Sequence, residues 1–260
     1  MRALERLGTG GRLRVAAAAL AAATLAVAGA RAEGLRAHAV SYRTAFKGIG
    51  AGDLRLTLKT DEGRERWNYE TRVFPSFLAR FVVSPDLHEH SVFAVTAEGI
   101  EPHSYRIDDG SGDRGKLTAL RYDWTRGRVS GIARGRALDL AIAPGTQDTM
   151  TIRVAVMADL LAGREPQEYV MLDGDELKTY IYRRIGSARL KTALGELDTV
   201  IFTSARKGAG SHDRSWQYWY APTLGYLPVR IEQREDGSAR LSFAVRSLSW
   251  LEPAVSGPTP

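Results

Sequence analysis

The chain has 260 residues, no cysteine and a formal net charge of +6. Five arginines and one glutamate lie within the first 32 residues, so cleavage after this segment would leave a net charge of only +2. Such a chain lacks the strong basic charge that nucleic-acid-binding proteins use, and we predict no nucleic-acid partner. Without cysteine there can be no disulfide and no lipid-modified cysteine, so the fold must depend on a hydrophobic core.

Residues 1–32 have the pattern of a secretory signal peptide. Basic residues precede an apolar run at 15–29, and Ala30-Arg31-Ala32 supplies small residues at a cleavage site. The alternative is an uncleaved membrane anchor, but a run of about 15 residues is shorter than the roughly 20 that span a bilayer. We expect Sec-type export, cleavage after Ala32, a periplasmic chain beginning at Glu33, and no transmembrane segment after cleavage.

The first half of the mature chain predicts short antiparallel strands. From Val40 to Phe46 alternate residues face one way, which is the period of a half-buried strand. Similar segments, separated by turns, continue to residue 142. We interpret them as a meander with one solvent-exposed face.

Residues 74–83 interrupt this alternation with bulky apolar side chains of no clear period. The segment could be a plug in one end of the core or a lid over an apolar cavity. We favour the plug, because loose loops that carry bulky apolar groups usually bury them.

One helix is predicted after the N-terminal segment, at residues 148–163. Asp148 or Thr149 is placed to accept the first free N–H groups, and Gly163 is placed to end the helix. One apolar row consists of Met150, Val154, Met157 and Leu161, a second of Ile152, Val156 and Leu160, and a narrow polar strip of Thr151, Ala155 and Asp159. A helix that is apolar on most sides must be surrounded. The predicted fold is mainly β: a strongly curved antiparallel meander, as a half-barrel or open barrel, wrapped around one central α-helix.

The domain organisation follows from this pattern. Residues 33–251 form one β-rich domain with no visible repeat or linker. Residues 252–260 are rich in Pro, Ser and Gly and are predicted to be a disordered tail.

Three motifs in the second half resemble a bacterial family of exported proteins, domain-of-unknown-function family 3108. They are Gln-Asp-Thr-Met at 147–150 with Arg153 inside the helix, Thr-Tyr-Ile-Tyr at 179–182 leading to Ala-Leu-Gly-Glu-Leu-Asp-Thr at 193–199, and Trp-Gln-Tyr-Trp-Tyr-Ala-Pro at 216–222 followed by Leu-Pro-Val-Arg-Ile at 227–231. The resemblance implies a periplasmic antiparallel domain similar to the half-barrels of lipoprotein carriers. It implies no reaction and no catalytic residue.

Arg153 is the strongest candidate for a binding residue. It lies between the two apolar rows of the helix, where an unpaired buried charge would be very unfavourable. The guanidinium could anchor an anionic head group at the mouth of a cavity, or it could form a salt bridge between helix and sheet. We favour the salt bridge, since buried charges are usually paired.

Aromatic and helical apolar residues complete the candidate ligand site. Trp216, Tyr218 and Tyr220 share one strand face, where they could stack on a ligand or fill the core, and the core is the more common role. The full candidate set is Arg153, Met150, Val154, Met157, Leu161, Trp216 and Tyr218.

No pattern of catalytic or metal-binding residues is found in the sequence. His88 and His90 would share a strand side but lack a nearby third ligand, so we predict no metal site. Ser211, His212 and Asp213 are consecutive and cannot form a triad by adjacency alone, and the Asp173-Gly174-Asp175 run is typical of a turn. We predict no enzyme activity and no cofactor.

Three functions remain open at this point. The first is a periplasmic protein that binds or carries a hydrophobic or amphipathic cell-envelope component, such as a lipid, between sheet and helix. It fails if the helix fills the concavity. The second is a non-catalytic assembly factor that engages another envelope protein through an exposed apolar patch. The third is an outer-membrane β-barrel, against which the central helix and the polar tail argue.

Overall fold

The computed structural model describes residues 34–60, 66–81, 83–210 and 214–252. The predicted signal peptide and its cleavage site lie outside these ranges. So do the tail from residue 253 onward and the Ser211, His212 and Asp213 run.

The described residues form fourteen strands, one α-helix and three short 3₁₀ turns. The strands are β1 (His38–Phe46), β2 (Ile49–Thr60), β3 (Trp67–Pro75), β4 (His88–Val95), β5 (Ile100–Asp108), β6 (Thr118–Asp123), β7 (Arg128–Ala133), β8 (Arg136–Ala141), β9 (Glu168–Asp173), β10 (Glu176–Thr192), β11 (Gly195–Arg206), β12 (Ser215–Ala221), β13 (Leu227–Glu235) and β14 (Ser238–Trp250). The helix α1 is Thr151–Leu161, and the 3₁₀ turns are Ala79–Phe81, Arg114–Lys116 and Pro222–Leu224. None of the helices in the described ranges is long and apolar enough to span a membrane.

All fourteen strands belong to one antiparallel sheet built from two meanders. The spatial order is β8-β7-β6-β5-β4-β3-β2-β1-β14-β13-β12-β11-β10-β9. Successive strands pair within each meander, and the first strand pairs with the last, with Val40 opposite Leu248. Register shifts, such as that between Ser41 and Tyr42, bend the strands as bulges do. The predicted mainly-β, strongly curved meander around one helix is confirmed, and within the described strands the sheet is not closed into a barrel.

The helix lies inside the curved sheet and is buried on nearly all sides. It begins at Thr151, three residues later than predicted, and Gly163 ends it with a φ of 70°. Met150, Val154 and Val156 are at most 1% exposed, and Thr151 and Ala155 of the predicted polar strip are buried too. The strip is therefore not a solvent-exposed face, because strands surround the helix there as well.

Side-chain and backbone contacts bridge the two outer strands of the sheet, β8 and β9. The backbone of Gln147 bonds to β9 through Val170 and Leu172, at 2.9 Å each. Arg136, at the start of β8, pairs at 3.0 Å with Asp175 in the β9–β10 turn. The Asp173-Gly174-Asp175 run is the predicted turn, and Gly174 has the positive φ of 72° that favours glycine.

Gly52 is a position where only glycine fits. Its φ is +122°, and a Cβ there would lie 2.2 Å from the carbonyl oxygen of Phe74 on the neighbouring strand. We expect Gly52→Ala to lower the free energy of unfolding by about 1–3 kcal/mol, measured by urea denaturation. Gly50→Ala is the matched control, since its Cβ would meet no atom within 4 Å. An equal effect of both substitutions would contradict this account.

Candidate functional site

A cavity of about 890 Å³ lies between the start of α1 and the inner face of the sheet. Its volume is in the range of small-molecule binding sites. The lining includes apolar, aromatic and charged side chains: Leu54, Thr71, Leu87, Glu89, Thr149, Ile152, Arg153, Met171, Lys178, Tyr180, Tyr182, Arg206, Trp216, Tyr218, Ile231 and Phe243 among others. The helix thus leaves part of the concavity unfilled, which the binding hypothesis requires.

Asp148 fixes the end of the helix that faces the cavity. Its Oδ1 accepts the backbone N–H groups of Met150 and Thr151, at 2.8 and 2.7 Å, and the Thr151 hydroxyl accepts the Asp148 N–H at 3.0 Å. The Ser91 hydroxyl donates to Oδ2 at 2.6 Å. The predicted cap is confirmed. Burial raises the pKa of Asp148 to about 6, against these hydrogen bonds, which lower it.

Glu89 brings a carboxylate to the cavity wall from β4. Its Oε1 accepts hydrogen bonds from the hydroxyls of Tyr105 and Thr149, each at 2.8 Å. The hydroxyl of Thr149 also lies 2.9 Å from that of Tyr105. This network links strands β4 and β5 to the residues that precede the helix, and it holds Glu89 in one orientation.

Arg153 enters the cavity from the first turn of α1 and is partly exposed. Burial disfavours its charge, but the nearby Glu89 carboxylate and the surrounding tyrosines, Tyr69 foremost, hold its pKa above the usual range. Burial raises the pKa of Tyr69, and the nearby Arg153 charge opposes that rise. Among the described residues, no carboxylate comes within ion-pair distance of the guanidinium, although Glu89 is near enough for its charge to raise the pKa of Arg153. The favoured salt bridge from helix to sheet is therefore not what this geometry shows.

A second polar group at the cavity has no protein partner. Thr71 lines the cavity, is 3% exposed, and its hydroxyl makes no hydrogen bond within the described structure. Most buried polar atoms are paired, so an unpaired hydroxyl beside a cavity indicates a place where a ligand can bond. Thr71 and Arg153 are both polar groups in the lining of the cavity.

One wall of the cavity is a row of stacked aromatic rings. The rings of Trp216 and Phe243 are 6.5 Å apart, those of Trp216 and Tyr218 are 6.4 Å apart, and those of Tyr218 and Tyr182 are 5.9 Å apart. Tyr180 also lines the cavity. Burial, together with the nearby Asp173 carboxylate, raises the pKa of Tyr180 to about 12. Such faces bury acyl chains or flat rings while the phenol hydroxyls keep polar contacts.

Of the residues predicted to bind a ligand, three line the cavity: Arg153, Trp216 and Tyr218. The structure places Met150, Val154 and Met157 in the closed core instead, at most 5% exposed. Leu161 lies at the far end of the helix beside Gly34. The helical row does not face the cavity because the sheet packs against the helix along its length, and only its first turn borders free space.

Several lining residues were not predicted from sequence. Thr71 and Glu89 belong to strands of the first meander, and Tyr180 and Tyr182 were noted only as part of a family motif. Glu89 lies between His88 and His90, whose rings stack at 6.1 Å on the other strand side, and His90 bonds to Asn68 at 3.2 Å. No cluster of three possible metal ligands occurs among the residues that the structure describes.

The loops at one rim of the sheet carry large exposed apolar side chains. This rim patch consists of Phe46, Ile49, Phe74, Phe77, Leu78 and Phe81, which are 49–78% exposed. The plug interpretation of residues 74–83 is therefore wrong for its bulky described side chains, which are exposed to solvent and do not enter the core. The loop connects β3 and β4, which both contribute residues to the cavity lining. Leu87, at the end of the loop, lines the cavity as well.

Comparisons with known proteins agree with this fold. A family model described as "Protein of unknown function (DUF3108)" matches residues 39–244. No curated protein matches the sequence at a significant level.

Among solved structures, a β-barrel-like protein of domain of unknown function DUF1849 from Brucella abortus has a TM-score of 0.51 at 11% identity. That match covers 84% of this chain and 99% of the Brucella chain. The hypothetical lipoprotein YmcC from Escherichia coli has a TM-score of 0.30 at 10% identity, covering 88% of this chain and 90% of its own. MucB in its complex with MucA from Pseudomonas aeruginosa has a TM-score of 0.41 at 8% identity. That match covers 86% of this chain and 55% of the MucB-complex chain.

Proposed function

The chain belongs to the DUF3108 family of proteins of unknown function, and we therefore propose its function from the cavity itself. We propose that it binds or carries an anionic amphipathic molecule of the cell envelope, with the charged head at Arg153 and the apolar part against the aromatic wall. The proposed role is binding without catalysis, in the periplasm after export. The observation that carries the proposal is a half-buried guanidinium that faces a cavity without a carboxylate at ion-pair distance.

The charge of the lining supports an anionic ligand. Five bases and three acids line the cavity: Arg134, Arg153, Lys178, Arg206 and Arg214 against Glu89, Asp173 and Glu235. Lys178 pairs with Asp173 at 2.9 Å and Arg214 with Glu235 at 3.5 Å. Arg153 and Arg206 have no such partner within the described ranges. A carboxylate or phosphate would bond to Arg153 in two places at once, which is the strong geometry for guanidinium.

Native mass spectrometry of the mature chain, purified from its own periplasm, tests this proposal. We expect an added mass that is lost on unfolding, and organic extraction should recover an amphiphile with a carboxylate or phosphate head. Protein that has been unfolded, stripped and refolded should then take up a fluorescent fatty acid. An empty protein that also fails to take up the fatty acid would overturn the proposal and favour the alternative role, assembly with another envelope protein.

A further inference from the structure

We propose that the rim patch docks the protein on an anionic lipid bilayer, next to the opening of the cavity. The patch unites two connections of the first meander: the β1–β2 turn, with Phe46 and Ile49, and the β3–β4 connection, with Phe74, Phe77, Leu78 and Phe81. Phe77 and Phe81 are 76% and 78% exposed, although a folded chain normally buries such rings. A cluster of exposed large apolar groups marks a surface that meets a partner.

The two connections form one rigid rim. The Ser76 N–H donates to the carbonyl oxygen of Ala51 at 2.9 Å, and Gly52 packs directly against the backbone at Phe74. Phe46 lies opposite Ile49 in the β1–β2 pair, and the rings of Phe77 and Phe81 meet edge to face at 6.0 Å. Backbone contacts therefore hold the two connections side by side at this rim.

The charges around the patch favour a bilayer with anionic lipids. The two connections carry the bases Arg43, Lys47, Arg72 and Arg80, and of the two acids next to them in sequence, Asp53 and Asp86, the first is paired with Arg246 at 2.6 Å. Lys47 lies over the Phe46 ring, at 5.9 Å from its centre, and Arg80 lies within the turn that carries Phe81. Aromatic rings flanked by bases are typical of segments that insert at the interface of anionic membranes.

The rim patch lies on strands and a loop that also line the cavity. Leu54 and Thr71, on the strands that support the patch, and Leu87, at the end of its loop, line the cavity. A bilayer held at the patch would place lipid molecules close to the opening. This last point rests on the proposed function, whereas the docking itself does not depend on the cavity.

Vesicle co-sedimentation of the mature chain tests the docking. We expect binding to vesicles of equimolar phosphatidylcholine and phosphatidylglycerol, weaker binding to phosphatidylcholine alone, and loss of the difference at high salt. The double variant Phe77→Ser, Phe81→Ser should reduce partitioning by at least about tenfold, since each ring buries a large apolar area. Ile185→Ser is the control, because Ile185 is 54% exposed on β10 and lies outside the patch.

Two results would overturn the docking proposal. One is a wild-type protein that binds neither vesicle, which would assign the patch to a protein partner. The other is a double variant that binds as well as the wild type. Uptake of a fluorescent fatty acid in the absence of vesicles should be unchanged in the double variant, so a failure of the docking and a failure of the cavity function give different results.

Discussion

Replacing Arg153 by methionine is expected to weaken the binding of an anionic amphiphile by about 10- to 100-fold, the usual value of a hydrogen-bonded charge contact. Arg153 faces the cavity with Glu89 nearby but without an ion-pair partner among the described residues, so an anionic ligand could bond directly to the guanidinium. The measurement is a titration with a fluorescent fatty acid and with the corresponding fatty alcohol. The wild type should prefer the acid, and Arg153→Met should bind both about equally.

The fold should tolerate this substitution. An apolar side chain of similar length can replace a poorly paired buried charge with little loss of stability. Arg121→Met is the matched control, since Arg121 is exposed on β6 and does not line the cavity. If Arg153→Met keeps the preference for the acid, while its circular dichroism spectrum matches the wild type, Arg153 does not bind the head group.

The wild type is expected to become less stable as the pH rises and Asp148 ionises. Asp148→Asn should abolish this part of the pH dependence. The pKa of Asp148 is about 6 in the fold, against the ordinary 3.8. Between these two pH values the unfolded carboxyl loses its proton while the folded one keeps it. The higher folded pKa therefore stabilises the fold, and this stabilisation is complete below pH 3.8. The contribution is lost as the pH rises through 6, where the buried group must carry a charge.

The expected size of this effect is about 3 kcal/mol, because two pKa units correspond to that free energy. Urea unfolding of wild type and Asp148→Asn at pH 4 and pH 7 measures it. The variant should gain about 2.5 kcal/mol of this relative to the wild type between the two values, because the unfolded carboxyl is already more than half ionised at pH 4. Other carboxylates titrate in both proteins and cancel in the difference.

Asp148→Ala separates the charge from the cap. The amide of asparagine can still accept the N–H groups of Met150 and Thr151, whereas alanine cannot. We expect alanine to be less stable than asparagine by about 1–3 kcal/mol at both pH values. A wild-type minus asparagine difference that does not change with pH would show that folding does not raise the pKa of Asp148.

Local pattern was enough to predict much of this fold. The alternation in segments such as 40–46 and the two apolar rows of the helix depend on backbone period alone. Asp148 and Thr149 are the two predicted acceptors for the first free N–H groups because capping acts within three residues, and the structure assigns that role to Asp148. These features need no knowledge of what packs against them.

The cavity wall could not be predicted in the same way. Glu89 meets Thr149, 60 residues later in the chain, only because the residues before the helix fold back onto strand β4. Burial of Phe77 and Phe81 was expected from their chemistry, but it depends on whether the core has room for them. Met150 and Met157 were predicted to contact the ligand, but they are buried in the core. The sequence pattern shows which helix residues are apolar, but it does not show which part of the helix borders the cavity.

The pairing of β1 with β14 also determines when the sheet can be completed. Opposite residues such as His38 and Trp250 come from the two ends of the domain. A chain that lacks β14 leaves β1 and β13 as unpaired edges in the middle of the sheet, where other chains could add. Contacts between such distant residues form slowly, because the intervening loop must close first. The native sheet is therefore completed only after the last strand, β14, has been synthesised and can pair with β1.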